Sequence, residues 1–162
     1  MSALVGVALR FLEMLAVSVW VGGIAVLSWL VAPTLFAKLP TRAQAGEIFG
    51  HILTRFYILE IALGVFLIAL GMLRWKYFQA PMGLTVVRLM MIGLMVGATL
   101  TSQFYIRPQL KSLRIKIGNF ETAPVDNPDR ILFGKLHQQS VMLMSFNLLG
   151  AIVLGMLLLW KL

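Results

Sequence analysis

The chain contains no cysteine. That excludes disulfides, thiolate metal sites and cysteine nucleophiles, and it leaves the redox compartment open. Charge is scarce too: Asp, Glu, Lys and Arg make up 12% of the residues, against about 25% in a typical soluble domain. Only six residues are acidic and two are histidine. Two histidines alone are a weak ligand set for a metal or a haem. No recognised catalytic signature occurs, so the residues point away from an enzyme. The first residues lack a basic n-region and a small-residue cleavage site, so the first apolar segment reads as uncleaved.

What the chain has in abundance is apolar surface. Hydrophobic residues make up 60% of its 162 positions, more than a soluble core of this size can bury. The pattern predicts an all-α integral membrane protein, a four-helix bundle forming a single membrane domain. A spanning helix needs about 20 apolar residues. Four segments meet that length, at about residues 4–36, 48–73, 82–106 and 133–160. The connection at 107–132 is the only sizeable polar stretch. Its first half, "PQLKSLRIKI", alternates apolar and basic residues and reads as a short basic helix lying at the headgroups. Its second half contains Pro124 and Pro128 and reads as loop.

The net charge of +8 would suggest nucleic acid in a soluble protein. Here the basic residues flank apolar spans, so lipid headgroups are the expected partner and nucleic acid is not. The connections after the first and third spans carry Lys38, Arg42, Arg107, Lys111, Arg114, Lys116, Arg130 and Lys135. The opposite side carries Arg10, Arg74, Lys76 and Lys161, with Arg88 just inside the membrane. The positive-inside rule then places the two loops in the cytoplasm and both termini outside, in a cell inner membrane. Trp75 and Trp160 suit an outer aromatic belt.

Ionisable residues at bilayer depth are costly and tend to face the protein interior. This singles out Glu13, Glu60 and Arg88, which depth allows to meet as a carboxylate–arginine cluster. Glu13 has a second option in Arg10, three residues away. Glu60 shares a helical face with Leu53, Gly64, Leu67 and Gly71, the face expected to pack inward. Arg88 shares a stripe with Met95, Thr99, Ser102 and Gln103. On the cytoplasmic half, His51 and Arg55 lie four apart on the second span, and His137, Ser140, Met144 and Asn147 line one face of the fourth. The histidines can face each other or lie under the basic loop. Gly22, Gly23, Gly64, Gly71, Gly93 and Gly97 are the expected helix-packing positions, the last two at small-xxx-small spacing. Ten methionines raise soft-metal handling, but Met is also ordinary apolar filler.

"WVGG", "APTLFAKLP", "AGEIFGHILTRFY", "SQFYIRPQLKSLR" and "RILFGKLHQQSVMLMSFNLLG" occur in that order. Together they resemble the small four-helix membrane family that includes transmembrane protein 205, in bacteria a domain of unknown function. The resemblance implies a four-helix fold and no defined activity. It rests on Trp20, Gly22, Gly23, Pro33, Phe36, Gly46, Phe56, Tyr57, Pro108, Phe133, His137, Ser140 and Asn147. "WVGG" is also similar to the first helix of copper-resistance D-type proteins and of haem-binding four-helix protoporphyrinogen oxidases. Those families place a histidine two turns before the tryptophan, where this chain has Glu13. That departure argues against haem and copper.

Three functions are then in play. The first is a non-enzymatic accessory or scaffolding subunit of a membrane complex, bound to other membrane subunits or to itself. The second is a transporter or metal-handling protein using the buried polar residues. The third is a haem-binding membrane oxidoreductase.

Overall fold

The computed structural model describes residues 3–78, 81–120 and 122–159. Four long helices account for nearly all of them: α1 (Leu4–Lys38), α2 (Arg42–Phe78), α3 (Met82–Ile117) and α4 (Pro128–Leu159). Each is long and apolar enough to cross a membrane, so the chain reads as a multi-pass membrane protein. Among the described residues there is no β-strand. Trp160 and Lys161, expected at the outer end of the fourth span, lie outside the described residues.

The helices run up and down in a ring. α1 packs on α2, α2 on α3, α3 on α4, and α4 returns to α1. The connections after α1 and α3 therefore share one face of the bundle, called the basic-loop side below. The N-terminal end of α1 and the α2–α3 connection share the opposite face.

Helix ends follow local chemistry. At α2 the Thr41 hydroxyl accepts the Gln44 amide at 3.2 Å, an N-cap. At α4 the Asn127 carboxamide oxygen accepts the Asp129 amide at 2.8 Å, with Pro128 in the first helical position. α3 ends where Gly118 takes φ 66, a conformation that disfavours any side chain.

All four helices are longer than the spans expected from the sequence, and two of them run through a proline. The first span was expected to end near residue 36, and "PQLKSLRIKI" to form a separate surface helix. Instead α1 runs through Pro33 to Lys38, and α3 runs through Pro108 to Ile117. Both use the same device. Proline lacks an N–H and crowds the carbonyl four residues earlier. The turn before each proline is widened to π-helix, at Leu27–Val31 and Ser102–Ile106. The Ala32 amide donates to the Leu27 carbonyl and the Arg107 amide to the Ser102 carbonyl, each five residues back, so the helix absorbs the proline without breaking.

The α3 extension does not lie flat on a surface. Leu110, Leu113 and Ile117 pack with Ile106 against Phe133, Leu136 and Leu143 of α4. Lys111, Ile115 and Lys116 face outward. The main core runs along the bundle axis through Trp20, Ile24, Phe56, Leu67, Ile92, Met95, Ala151 and Leu154.

Glycine packing divides the expected set. A Cβ on Gly23 would sit 2.3 Å from the Phe56 ring, and one on Gly64 2.3 Å from Val96. Gly71 meets Leu89 at an ordinary 3.4 Å. Gly22, Gly93 and Gly97 were expected at helix contacts, yet a Cβ there would meet nothing within 4 Å. They lie on the outside of the ring, because the twist of each helix carries only part of its small-residue stripe inward. Gly150, not singled out from the sequence, packs against Met95, with its Cβ position 3.0 Å from the sulfur.

Candidate functional site

The bundle interior carries three polar layers along its axis, separated by apolar packing. The middle layer takes one side chain from every helix. Glu60 of α2 is 1% exposed, Thr99 of α3 1%, Asn147 of α4 2% and Trp20 of α1 0%. The Thr99 hydroxyl donates to Glu60 Oε2 at 2.9 Å, and the Asn147 amide donates to the Thr99 oxygen at 2.8 Å. The Trp20 indole N–H and the Asn147 amide also face the Glu60 carboxyl. Trp20 Nε1, Glu60 Oε1 and Asn147 Oδ1 are buried and make no hydrogen bond. The layer has hydrogen-bonding capacity in reserve, around a carboxyl that has no basic side chain bonded to it.

Sequence depth alone grouped Glu60 with Glu13 and Arg88. The structure separates them. Arg74 follows Glu60 by fourteen residues on α2, about 20 Å of helix at 1.5 Å per residue. Arg74 forms a buried ion pair with Glu13 at the end of the bundle opposite the basic loops. Arg74 reaches Glu13 because it stands at the end of α2 that lies beside the start of α1. Arg88 donates to the Leu157 carbonyl of α4. Glu13, Arg74, Arg88 and Thr85 line a small cavity of ≈ 20 Å³, room for about one water. Its other walls are apolar, including Leu67, Ile92 and Leu154.

The third layer lies on the basic-loop side of Glu60. Tyr57, one turn before Glu60 on α2, is 2% exposed and has the Ser140 and Ser102 hydroxyls as polar neighbours. The Arg107 guanidinium sits 5.9 Å from the centre of the Tyr57 ring, a cation–π contact. Farther out, Arg114 lies over the Phe133 ring at 6.0 Å and against Gly46.

The residues expected together at this end are divided. His51 and Arg55 are exposed on the outside of the bundle. His137 is exposed too, its ring stacked on Phe133 at 6.3 Å. The histidines therefore do not meet inside, and the basic segment does not cover them. Of the α4 set, Ser140 is half-buried and Asn147 fully buried, because ten residues rotate His137 away from the Asn147 face. Among the described residues no three or more His, Asp or Glu side chains converge as a metal site.

Sequence reasoning missed Arg74, Tyr57, Arg107 and the polar end of Trp20. The Arg88-to-Gln103 stripe was the available signal for Thr99 and Ser102. Aromatic hydroxyl and indole groups within apolar runs carry no comparable mark.

No curated protein and no solved structure matches the chain. One family model does, that of a domain of unknown function, DUF4149, over residues 15–118. The matched segment contains Trp20, Tyr57, Glu60 and Thr99 and stops before Ser140 and Asn147. It covers well over half of the sequence, and the chain belongs to the DUF4149 family.

Proposed function

We propose that the protein is a non-enzymatic membrane protein that passes protons, or a cation exchanged for them, through the Glu60 centre. The carrying observation is that all four helices bring a polar side chain to one buried carboxyl. An unpaired charge at that depth is costly, so the carboxyl must hold a proton or have a cation brought to it. A group held between those two options, with unused hydrogen-bonding atoms around it, is suited to loading and unloading. The lysine and arginine balance supports both termini outside a cell inner membrane. The ordered motifs from "WVGG" to "RILFGKLHQQSVMLMSFNLLG" support a likeness to the transmembrane protein 205 group. The test is proton flux into proteoliposomes under an imposed pH gradient. Wild type should acidify the lumen well above empty vesicles, and Glu60→Gln, which keeps the shape, should remove the difference. Equal flux in the two proteins would end this reading.

A second reading, an accessory or scaffolding subunit, is favoured by Gly22, Gly93 and Gly97. They leave open backbone on the outside of the bundle, where a helix of another subunit or a second copy can approach closely. Purification from native membranes in mild detergent tests it, and a chain that always migrates alone would count against it.

A further inference from the structure

Glu60 is placed unequally between the two sides of the bundle. Toward the basic loops, polar groups follow without a gap: Tyr57 on α2, Ser140 on α4, then Ser102, Gln103 and Arg107 on α3. Toward the other side lies an apolar layer. Leu67 follows Glu60 by seven residues, about 10 Å along the helix. It is 2% exposed, Ile92 3%, Met95 1% and Leu154 1%. The outer cavity under Glu13, Arg74 and Arg88 has Leu67, Ile92 and Leu154 among its walls.

Unsatisfied atoms occur on both sides of Glu60: Arg88 Nε lines the small cavity beyond the apolar layer, and two more lie on the polar side. Arg107 Nη1, a donor, and Gln103 Oε1, an acceptor, are both buried with no hydrogen-bond partner. They sit four residues apart, one turn along α3. Buried polar atoms are ordinarily satisfied by protein or by ordered water. A donor and an acceptor left open on the same wall are what a bridging water needs.

We propose that Glu60 exchanges protons with the basic-loop side alone, through a hydrated half-channel walled by Tyr57, Ser102, Gln103, Arg107 and Ser140. The Leu67, Ile92, Met95 and Leu154 layer seals it from the opposite side. Water enters beside Arg107, and the Tyr57, Ser102 and Ser140 hydroxyls carry the hydrogen-bonded path to the carboxyl. The guanidinium at the mouth disfavours other cations there, so the path favours a proton relayed between hydroxyls and waters. Proton traffic in the channel rests on the function proposed above. Its one-sided wetting does not.

The absence of cysteine makes the test clean. Single cysteines at Ser102, Gln103, Ser140, Leu67 and Met95 are placed in oriented proteoliposomes and treated with a small membrane-impermeant methanethiosulfonate. Lys111→Cys and Lys76→Cys, both at exposed positions, define the two sides. S102C, Q103C and S140C should react at least tenfold faster from the Lys111 side than L67C and M95C react from either side. Three channel positions are used so that one poorly folded variant does not decide the result. Reaction as slow as at Leu67, or equal from both sides, would overturn the half-channel. One-sided labelling with no Glu60-dependent flux would leave the half-channel standing and remove the transport reading. Two-sided labelling with intact flux would do the reverse.

Discussion

Replacing Thr99 by valine tests the middle layer with little change of shape. The hydroxyl links two other helices, donating to Glu60 and accepting from Asn147, and it also lies 3.2 Å from the Met95 carbonyl of its own helix. Valine is nearly isosteric, so no cavity opens and the loss is one of hydrogen bonding. Each buried group left without a partner costs about 1–3 kcal/mol. In membrane proteins the measured values are lower, averaging about 0.6 kcal/mol, because the unfolded chain in lipid also finds partners. Two groups orphaned at once should together destabilise the bundle by about 2 kcal/mol. The assay is reversible unfolding in mixed micelles by added denaturing detergent, followed by tryptophan emission. Trp20 lies in the affected layer and, with Trp29, Trp75 and Trp160 replaced by phenylalanine in every protein compared, is the reporter. Thr101→Val is the control, since Thr101 is exposed and bonds only the Gly97 carbonyl of its own helix. The double variant with Asn147→Leu should cost clearly less than the sum of the single variants, because the two residues share a bond. If Thr99→Val costs no more than Thr101→Val, or adds fully with Asn147→Leu, the layer is not a coupled network and the reasoning fails.

Gly64→Ala should destabilise by about 1–3 kcal/mol through overpacking against Val96, whereas Gly22→Ala and Gly97→Ala should leave an isolated bundle unchanged; the same unfolding assay compares them. Removing Glu13 should cost about 3–5 kcal/mol by leaving the buried Arg74 and Arg88 charges without the carboxylate between them. The double neutral variant Glu13→Gln/Arg74→Gln should recover much of that loss, and thermal denaturation in detergent reads the difference. With cysteines at Leu113 and Leu136, oxidation should link α3 to α4 efficiently. Adding Pro108→Ala should lower that yield several-fold, by closing the widened turn and rotating the extension.

The four apolar spans were legible because lipid leaves the chain so few choices. A backbone without water must satisfy its own hydrogen bonds, so length and hydropathy alone identify the helices. The inward face of α2 was legible for a related reason: Glu60, Gly64 and Leu67 recur at helical spacing, and all three are buried. What depth could not supply was pairing. Glu13, Glu60 and Arg88 were all deep enough to meet, but which helices adjoin at which level depends on packing that no single span records. Arg74 was hidden because it stands at the end of a hydrophobic run, where a basic residue ordinarily reads as a flank facing headgroups. His137, Ser140 and Asn147 show the limit of the helical wheel. They share a broad face, yet over ten residues that face turns from lipid to core.

The prolines connect this architecture to the site. Pro33 and Pro108 each sit two residues beyond a π-helical turn, and both lie on the basic-loop half of the bundle. On α3 the widened turn begins at Ser102, three residues beyond Thr99, and includes Gln103. An extra residue in that turn rotates everything after it by about one residue, or 100°, relative to a regular helix. The Arg88–Thr99 face above the turn and the Ser102–Arg107 wall below it therefore have different registers. That change lets Thr99 stay on Glu60 while Arg107 reaches over Tyr57. It also lets Leu113 turn onto α4. A regular helix over the same sequence could keep one of these contacts but not all three. The cost of a proline in a membrane helix is then accounted for by the polar wall it positions. The same substitution that frees the α3 extension from α4 should also slow the labelling of S102C.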